Sequence, residues 1–155
     1  MHAVAEELKS ILDAAGNLRR IDEQTASIRP APGKWSKKEI LGHLIDSAAN
    51  NHQRFVRLQL APRLELELPG YDGDAWVSLQ RYQQRPWKEI IDLWLLYNIQ
   101  LAEVIRYVAP QALRNLWRAP DGKDVDLEFI IRDYLVHMQH HLDQIFVEDK
   151  QQRPV

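Results

Sequence analysis

Hydrophobic residues recur at helical spacing in four long stretches of the chain. The first stretch runs from about Ala3 to Glu23 and carries apolar residues three or four positions apart, at Val4, Leu8, Ile11, Leu12, Ala15 and Leu18. The second begins at a capping box, in which Ser36 is followed three positions later by Glu39, and continues to about Leu60. Both stretches predict long amphipathic helices.

Two further helices are predicted in the second half of the chain. Pro86 suits the first turn of a third helix, which extends to about Val108. Asp126 is a suitable cap for a fourth helix, which reaches about Val147. Four helices of about twenty residues each predict an all-α fold, a four-helix bundle. At 155 residues the chain fits a single domain over residues 1–150, with residues 151–155 as a frayed tail.

The connections between these helices are rich in turn-forming residues. The short connection after the first helix predicts that the first two helices are antiparallel neighbours. The next connection, LELELPGYDGDAW from Leu64 to Trp76, alternates leucine with glutamate. So short an alternation without a pairing partner predicts an extended loop rather than a strand. The last connection, from Ala109 to Asp126, contains an Asp-Gly turn.

The segment HMQHHLDQI, from His137 to Ile145, places three histidines within five residues. On a helical wheel His137 and His141 fall at the edge of the apolar stripe of the fourth helix, whereas His140 falls farther out, toward solvent or a second layer. Residues four apart on a helix lie about 5–6 Å apart at Cβ, so these two imidazoles can bind one cation. The zinc-protease motif needs a glutamate after its first histidine, and Met138 stands there instead, which excludes that reading.

A third imidazole comes from the second helix. His43 lies at the edge of that helix's apolar stripe, with Ser47, Asn50 and Arg54 along the same face. Three neutral imidazoles from two helices form an open site, which is typical of a catalytic metal rather than a structural one. Two alternatives stay open: core-edge histidines that bond to carbonyls or carboxylates, and a polar row that only solvates the helix flank. His52 falls beyond the apolar centre and is not a predicted ligand.

Composition excludes several other classes of function. The chain has no cysteine, so it has no cysteine nucleophile, thiolate metal site or cysteine-bound iron–sulfur cluster of its own. Twenty basic and 22 acidic residues give a net charge of −2, without the basic bias of nucleic-acid-binding proteins. The amino end lacks a basic start followed by an apolar run, and no apolar stretch approaches the length of a membrane span. A cytoplasmic protein is therefore expected.

Two of these segments together resemble the DinB/YfiT-like proteins, a superfamily of four-helix bundles. One is KWSKKEILGHLIDSA, from Lys34 to Ala48, and the other is HMQHHLDQI, about 90 residues later. The resemblance implies an up-down-down-up bundle and a homodimer, and it places the family's metal-binding histidines at His43, His137 and His141. It also implies zinc or nickel as the metal. In some relatives it implies transfer or isomerisation reactions that use a low-molecular-weight thiol such as bacillithiol, mycothiol or glutathione.

The predicted function is that of a metal-dependent enzyme with an open three-histidine site, either a thiol-dependent S-transferase or a hydrolase. Because the chain has no cysteine, any thiolate would come from a small-molecule cosubstrate. Asp46, Asn50, Arg54 and Tyr71 are the candidates to position the substrate. Tyr71 lies in the segment from Leu68 to Val77, which looks like a loop of one branch of the superfamily. The alternative is a bundle that holds a metal or a small ligand without turnover.

Overall fold

The structure, a computed structural model, describes residues 1–64 and 71–151, except for the side chains of residues 147–151. Seven α-helices lie in this part of the chain: α1 (His2–Leu12), α2 (Ala14–Leu18), α3 (Glu23–Ser27), α4 (Lys37–Leu60), α5 (Gly73–Gln80), α6 (Trp87–Arg106) and α7 (Leu127–Gln151). Single 3₁₀ turns occur at Tyr82–Gln84 and Pro110–Arg114. The four longest helices, α1, α4, α6 and α7, form the predicted four-helix bundle.

Contacts between side chains give the direction of each bundle helix. Helices α1 and α6 run antiparallel, and so do α4 and α7, whereas α4 and α6 run parallel. The contacts that fix these directions are Glu6 with Arg106, Lys9 with Glu103, Lys37 with Ile145, Phe55 with Tyr134, Gly42 with Tyr82, and His52 with Tyr97. The order is therefore up-down-down-up. Both α1 and α4 pack on α6 and α7, so α1 and α4 occupy opposite corners of the bundle.

The first helix is shorter than its apolar pattern predicts. It ends at Leu12, and α2 continues the buried stripe with Ala15 and Leu18. The carboxylate of Asp22 then accepts a hydrogen bond from the Thr25 backbone N–H at 2.8 Å and caps the separate helix α3. The connection to α4 is thus long enough to cross the end of the bundle. The first two long helices run antiparallel, as predicted, but the prediction that they are neighbours is wrong.

Two predicted helix starts are confirmed. The Ser36 hydroxyl accepts a hydrogen bond from the Glu39 backbone N–H, and Glu39 accepts one from the Ser36 backbone N–H at 2.9 Å, which completes the capping box of α4. At the start of α7, Asp126 accepts a hydrogen bond from the Phe129 backbone N–H at 2.9 Å. These caps fix the rotational phase of the two helices that carry the candidate histidines.

The segment predicted as an extended loop contains regular structure at both ends. Its first residue belongs to strand β1 (Arg63–Leu64), and its last four belong to α5, which Asp72 caps by accepting a hydrogen bond from the Ala75 backbone N–H at 3.1 Å. The loop prediction is therefore wrong over 73–76, because Asp72 caps a helix there. Leu66 and Leu68, the rest of the alternating pattern, lie outside the described residues.

A small sheet closes one end of the bundle. Strand β1 pairs in parallel with β2 (Leu116–Arg118), which pairs antiparallel with β3 (Asp124–Asp126). The turn between β2 and β3 contains Gly122 at a φ of 81°, the left-handed region that glycine adopts without strain. The sheet places Trp117 against the bundle. In the described part of the chain, no helix is both long and apolar enough to span a membrane.

Candidate metal centre

Three imidazoles meet between α4 and α7. The Nε2 atom of His137 lies 3.3 Å from Nε2 of His43 and 3.1 Å from Nε2 of His141. One ring nitrogen from each of the three residues lies within 4.8 Å of those of the other two. The structure thus brings together the three histidines that lie at the edges of the two apolar stripes.

The packing of α4 against α7 explains this meeting. Leu44, next to His43 on α4, is fully buried, as is Met138, next to His137 on α7. Because these neighbours hold the two helices together, a side chain at the edge of one stripe faces the edge of the other. His43 itself is 9% exposed, which makes it the most buried of the three imidazoles.

Burial keeps the three imidazoles neutral at physiological pH. Burial first, and then the neighbouring His141 and His137, lower the pKa of His43 to about 4. Burial likewise lowers the pKa of His137 and that of His141. Neutral imidazole is the form that binds a metal. The cluster therefore presents ligands that need not lose a proton at neutral pH.

A second layer of side chains orients His141. Its Nδ1 lies 2.9 Å from Oε1 of Gln144, and because an amide oxygen only accepts, Nδ1 carries the proton and Nε2 keeps its lone pair for the cluster. The Gln144 amide nitrogen in turn donates to Nε2 of the exposed His140 at 3.0 Å. His140 thus lies outside the cluster, as its place on the wheel predicts. Sequence reasoning gave Gln144 no role, although its spacing of three from His141 was the available signal.

The donor set fits a divalent transition metal. Nitrogen lone pairs about 3 Å apart repel one another unless a hydrogen or a cation lies between them. Nε2 of His137 faces the Nε2 atoms of both His43 and His141, and one N–H of a neutral imidazole can satisfy only one of these two contacts, whereas a cation can satisfy both. Imidazole nitrogens suit zinc, nickel, copper and iron, whereas magnesium and calcium prefer oxygen ligands. A transition-metal ion is therefore the group that these residues are equipped to hold.

Aromatic side chains and the start of α5 cover His43. The ring centroid of Trp35 lies 5.0 Å from that of His43, and the ring of Tyr71 lies 6.1 Å away. A Cβ added at Gly73 would lie 3.5 Å from the His43 ring and 3.5 Å from Trp35, so the α5 backbone approaches the imidazole closely. This cover restricts access of water to His43 from the α5 side.

A cavity of about 580 Å³ adjoins the cluster. His137 belongs both to the cluster and to the wall of this cavity. Two of the predicted substrate-binding residues, Arg54 and Tyr71, line it together with Ser47. A molecule in the cavity would therefore lie next to the three imidazoles. Trp117 also lines it, from a strand for which the sequence gave no functional signal.

The other two predicted substrate-binding residues do not line this cavity. The carboxylate of Asp46 accepts hydrogen bonds from the Tyr82 hydroxyl at 2.8 Å and from the Gln80 side chain at 3.3 Å, and burial raises its pKa. The side chain of Asn50 donates to the backbone carbonyl of Asp46 at 2.8 Å. The neighbouring Asn51 lines the cavity instead. The helical wheel did not predict Asn51, because the cavity contacts a wider part of the α4 surface than the face that carries His43.

A family model for the DinB superfamily matches residues 6–145, and the chain belongs to that superfamily. Among curated proteins it is similar to "Putative metal-dependent hydrolase YfiT" of Bacillus subtilis (strain 168), with 26% identity over 114 residues. That match covers 73% of this chain and 63% of the relative, so it spans less than two thirds of the relative's length.

Among solved structures the chain resembles YfiT from Bacillus subtilis, which is described as having an unusual four-helix bundle topology. The TM-score is 0.79 at 20% sequence identity, over 97% of this chain and 84% of the other. At that level of identity the likeness shows the fold.

Proposed function

We propose that this protein is a metal-dependent enzyme in which His43, His137 and His141 hold one divalent cation, zinc or nickel. The observation that supports this proposal is that three neutral imidazoles from two helices meet at the edge of a cavity. His137 belongs both to this cluster and to the cavity wall. Three protein ligands leave coordination positions open, as in catalytic sites. The name of the Bacillus relative, a metal-dependent hydrolase, agrees with this assignment.

Hydrolysis of a small-molecule substrate is the reaction that we propose first. When bound, a divalent cation polarises a carbonyl or phosphoryl group and lowers the pKa of water toward about 7. The protein's own residues bind and orient the substrate. Burial raises the pKa of Tyr71, so its phenol stays protonated and can donate a hydrogen bond, and it already contacts Ser47. Arg54 supplies a positive charge in the same cavity.

Asp46 and Asn50 act indirectly in this proposal. The bond from Tyr82 to Asp46 ties the segment after α5 to α4. The Asn50 side chain bonds to the backbone of its own helix one turn back. Both residues therefore hold the scaffold around His43 rather than the substrate.

Transfer to or from a low-molecular-weight thiol is the second candidate reaction. The cavity of about 580 Å³ favours it, because it has room for a cosubstrate beside the reacting group. Since the chain has no cysteine, the thiolate would come from that cosubstrate. Imidazole-bound zinc or nickel also binds thiolates. The non-catalytic alternative, a bundle that only binds a metal or a small ligand, differs from both in that the loaded protein would turn nothing over.

Elemental analysis of protein produced without a histidine tag tests the metal site. We expect one divalent metal per chain in the wild type, and its loss after alanine substitution of His43, His137 or His141. His52→Ala is the control, because the His52 ring bonds to the Tyr97 hydroxyl at 3.2 Å, away from the cluster. Full metal occupancy in a His137→Ala/His141→Ala double variant would overturn the assignment.

Activity measurements on the metal-loaded protein then separate the reactions. A panel of esters, amides and phosphoesters tests hydrolysis, and the same protein with an electrophile and each of several small thiols tests transfer. Turnover without thiol supports the hydrolase, and turnover only with thiol supports the transferase. A loaded protein that binds panel compounds without converting them supports the binding alternative.

We also propose a cytoplasmic homodimer. The outer face of α6 exposes Leu93, Leu96 and Ile99, which are spaced three apart, and α4 exposes Val56 and Leu60. Apolar side chains that gather on one face mark association surfaces when they are contiguous. The location in the cytoplasm is consistent with a cysteine-free chain. Sedimentation equilibrium at micromolar concentrations measures the dimer directly, and a monomer there contradicts it.

A further inference from the structure

The cavity beside the candidate metal centre has apolar walls. Its aromatic and aliphatic lining comes from β2, β3 and α7: Trp117, Val125, Phe129, Ile130 and Tyr134. Such walls suit the carbon skeleton of an organic ligand. The polar side chains that interrupt them, chiefly those of α4, therefore decide what kind of ligand the cavity accepts.

Arg54 is the half-buried cation of this cavity. Its guanidinium carbon lies 4.2 Å from the ring centroid of Trp117, so the indole covers one face of the guanidinium. One N–H donates to Oδ1 of Asn51 at 3.0 Å. Within the described part of the chain, no carboxylate forms an ion pair with Arg54. Among the residues that the structure describes, the remaining N–H donors of this stacked guanidinium therefore have no anionic partner.

The other charged residues at the cavity do not neutralise Arg54. Lys123 pairs with Asp121 at 3.0 Å, and both are exposed at the rim. Asp133 is also exposed, and its electrostatic effect falls on His137, one turn along α7. Burial lowers the pKa of Arg54, with Tyr71 as its electrostatic neighbour. A guanidinium stays charged in proteins, so burying Arg54 costs solvation free energy. A bound anion would offset that cost.

We infer that the cavity binds an organic anion, a carboxylate or a phosphate monoester, whose charged group contacts Arg54 and whose apolar body lies along Trp117. The inference rests on the proposed function in one respect, namely that the reacting end of the ligand lies at the three histidines. Arg54 binds such groups through two parallel N–H donors, a geometry that lysine cannot reproduce.

Helix geometry sets the length of this ligand. Asn51, which the guanidinium contacts, lies eight positions after His43, and a rise of about 1.5 Å per residue puts the two positions about 12 Å apart along α4. The side chains shorten this separation somewhat. The anionic group and the reacting group of the ligand are therefore about 8–12 Å apart, a distance of several covalent bonds. Single-carbon or two-carbon acids are too short to meet both ends.

Calorimetric titration with matched probes tests this inference. The probes are 4-phenylbutyrate, its neutral amide 4-phenylbutyramide, and phenyl phosphate, each added to metal-free and to zinc-loaded protein. We expect the carboxylate or the phosphate ester to bind metal-free protein about tenfold or more tightly than the amide, as a hydrogen-bonded charge pair implies. The anion that binds more tightly identifies which of the two chemistries the cavity prefers.

Variants on α4 identify the residue responsible. Arg54→Gln should weaken binding of the anion about tenfold and leave binding of the amide unchanged, and Arg54→Lys should restore only part of the loss. Arg57→Gln, an exposed arginine one turn further on, is the matched control and should bind the anion as the wild type does. Melting curves establish that each variant is folded.

Two outcomes would overturn the inference. One is equal affinity for the anion and the amide in wild-type protein. The other is anion binding to metal-free protein that Arg54→Gln leaves unchanged, because Arg54 would then not be the residue that binds the charged group. The metal-free measurements keep this test separate from the proposed function: loss of the metal assignment leaves the anion result intact, and the reverse also holds.

Discussion

Replacing Gly42 by alanine is expected to destabilise the protein and to disturb the surroundings of His43. A Cβ built on Gly42 would lie 2.2 Å from Cδ2 and 2.3 Å from Cγ of Tyr82, far inside van der Waals contact. These atoms form the middle of a side chain that is 4% exposed, so the ring has no free space into which it can turn. The ring must therefore move away from α4.

Three contributions set the size of the effect. Overpacking a well-filled core costs about 1–3 kcal/mol. Displacing the ring breaks the hydrogen bond from Tyr82 to Asp46, which is 2.8 Å long, and a bond to a charged group contributes about 1.5–3 kcal/mol. Alanine has a higher helix propensity than glycine, which stabilises the variant by about 1 kcal/mol. The net loss is about 1.5–5 kcal/mol, and a loss near 3 kcal/mol lowers the melting temperature by about 6–12 °C.

Thermal and denaturant unfolding followed by circular dichroism measures this loss. Gly16→Ala is the matched control, because a Cβ at Gly16 in α2 would meet no atom within 4 Å, so its stability should stay the same or rise by up to about 1 kcal/mol. Tyr82→Phe removes the hydroxyl alone and so isolates the bond to Asp46. A Gly42→Ala melting temperature within about 2 °C of the wild type would refute the reasoning from close approach.

Two further predictions concern the histidine cluster. Because folding lowers the pKa of His43 to about 4 from an unfolded value near 6.5, the unfolded chain binds more protons in that window. Stability should therefore fall as pH drops from about 6.5 toward about 4. A chelator should lower the melting temperature at about pH 7.5 but have little effect below about pH 4, where His43 is protonated and no longer binds a metal. Equal chelator effects at both pH values would contradict this. Gln144→Leu removes the acceptor for the His141 Nδ1 proton and should weaken zinc affinity about 10–100-fold in a competitive chelator titration, whereas Gln139→Leu, on the exposed face of α7, should not.

The sequence predicted the elements that depend on local periodicity and capping. The start of α4 at Ser36 and the cap of α7 at Asp126 were predictable because the capping side chains lie within three residues of the groups that they satisfy. The phase of each apolar stripe then placed His43, His137 and His141 at the edges where two helices meet. The apolar residues of a helix show which of its faces packs against a partner, so the positions of these histidines could be predicted from the sequence.

Features that depend on distant partners were not predictable in this way. The apolar spacing of the first helix continues through Ala15 and Leu18, and nothing in it reveals that α1 ends at Leu12. The place of α1 opposite α4 follows from that break and from the length of the connection. Trp117 reaches the cavity from a strand that pairs across the sheet, and its stacking on Arg54 joins positions far apart in the chain. Such pairings have no local pattern.

The contact between α4 and α7 helps to hold the bundle together, and it also contains the three histidines, whose protonation would destabilise the fold. Three imidazoles occupy positions where apolar side chains would pack without any pH dependence. Burial lowers their pKa values, because this environment disfavours a positive charge. A divalent cation is nevertheless a positive charge that the cluster can accept, because three nitrogen lone pairs coordinate it directly, whereas a proton satisfies one nitrogen and repels the others. Metal binding would therefore strengthen the contact between α4 and α7 by mass action. The cluster would therefore discriminate between protons and a metal through the relative placement of two helices. The capping residues that set the rotation of those helices would then contribute to metal affinity without contacting the metal.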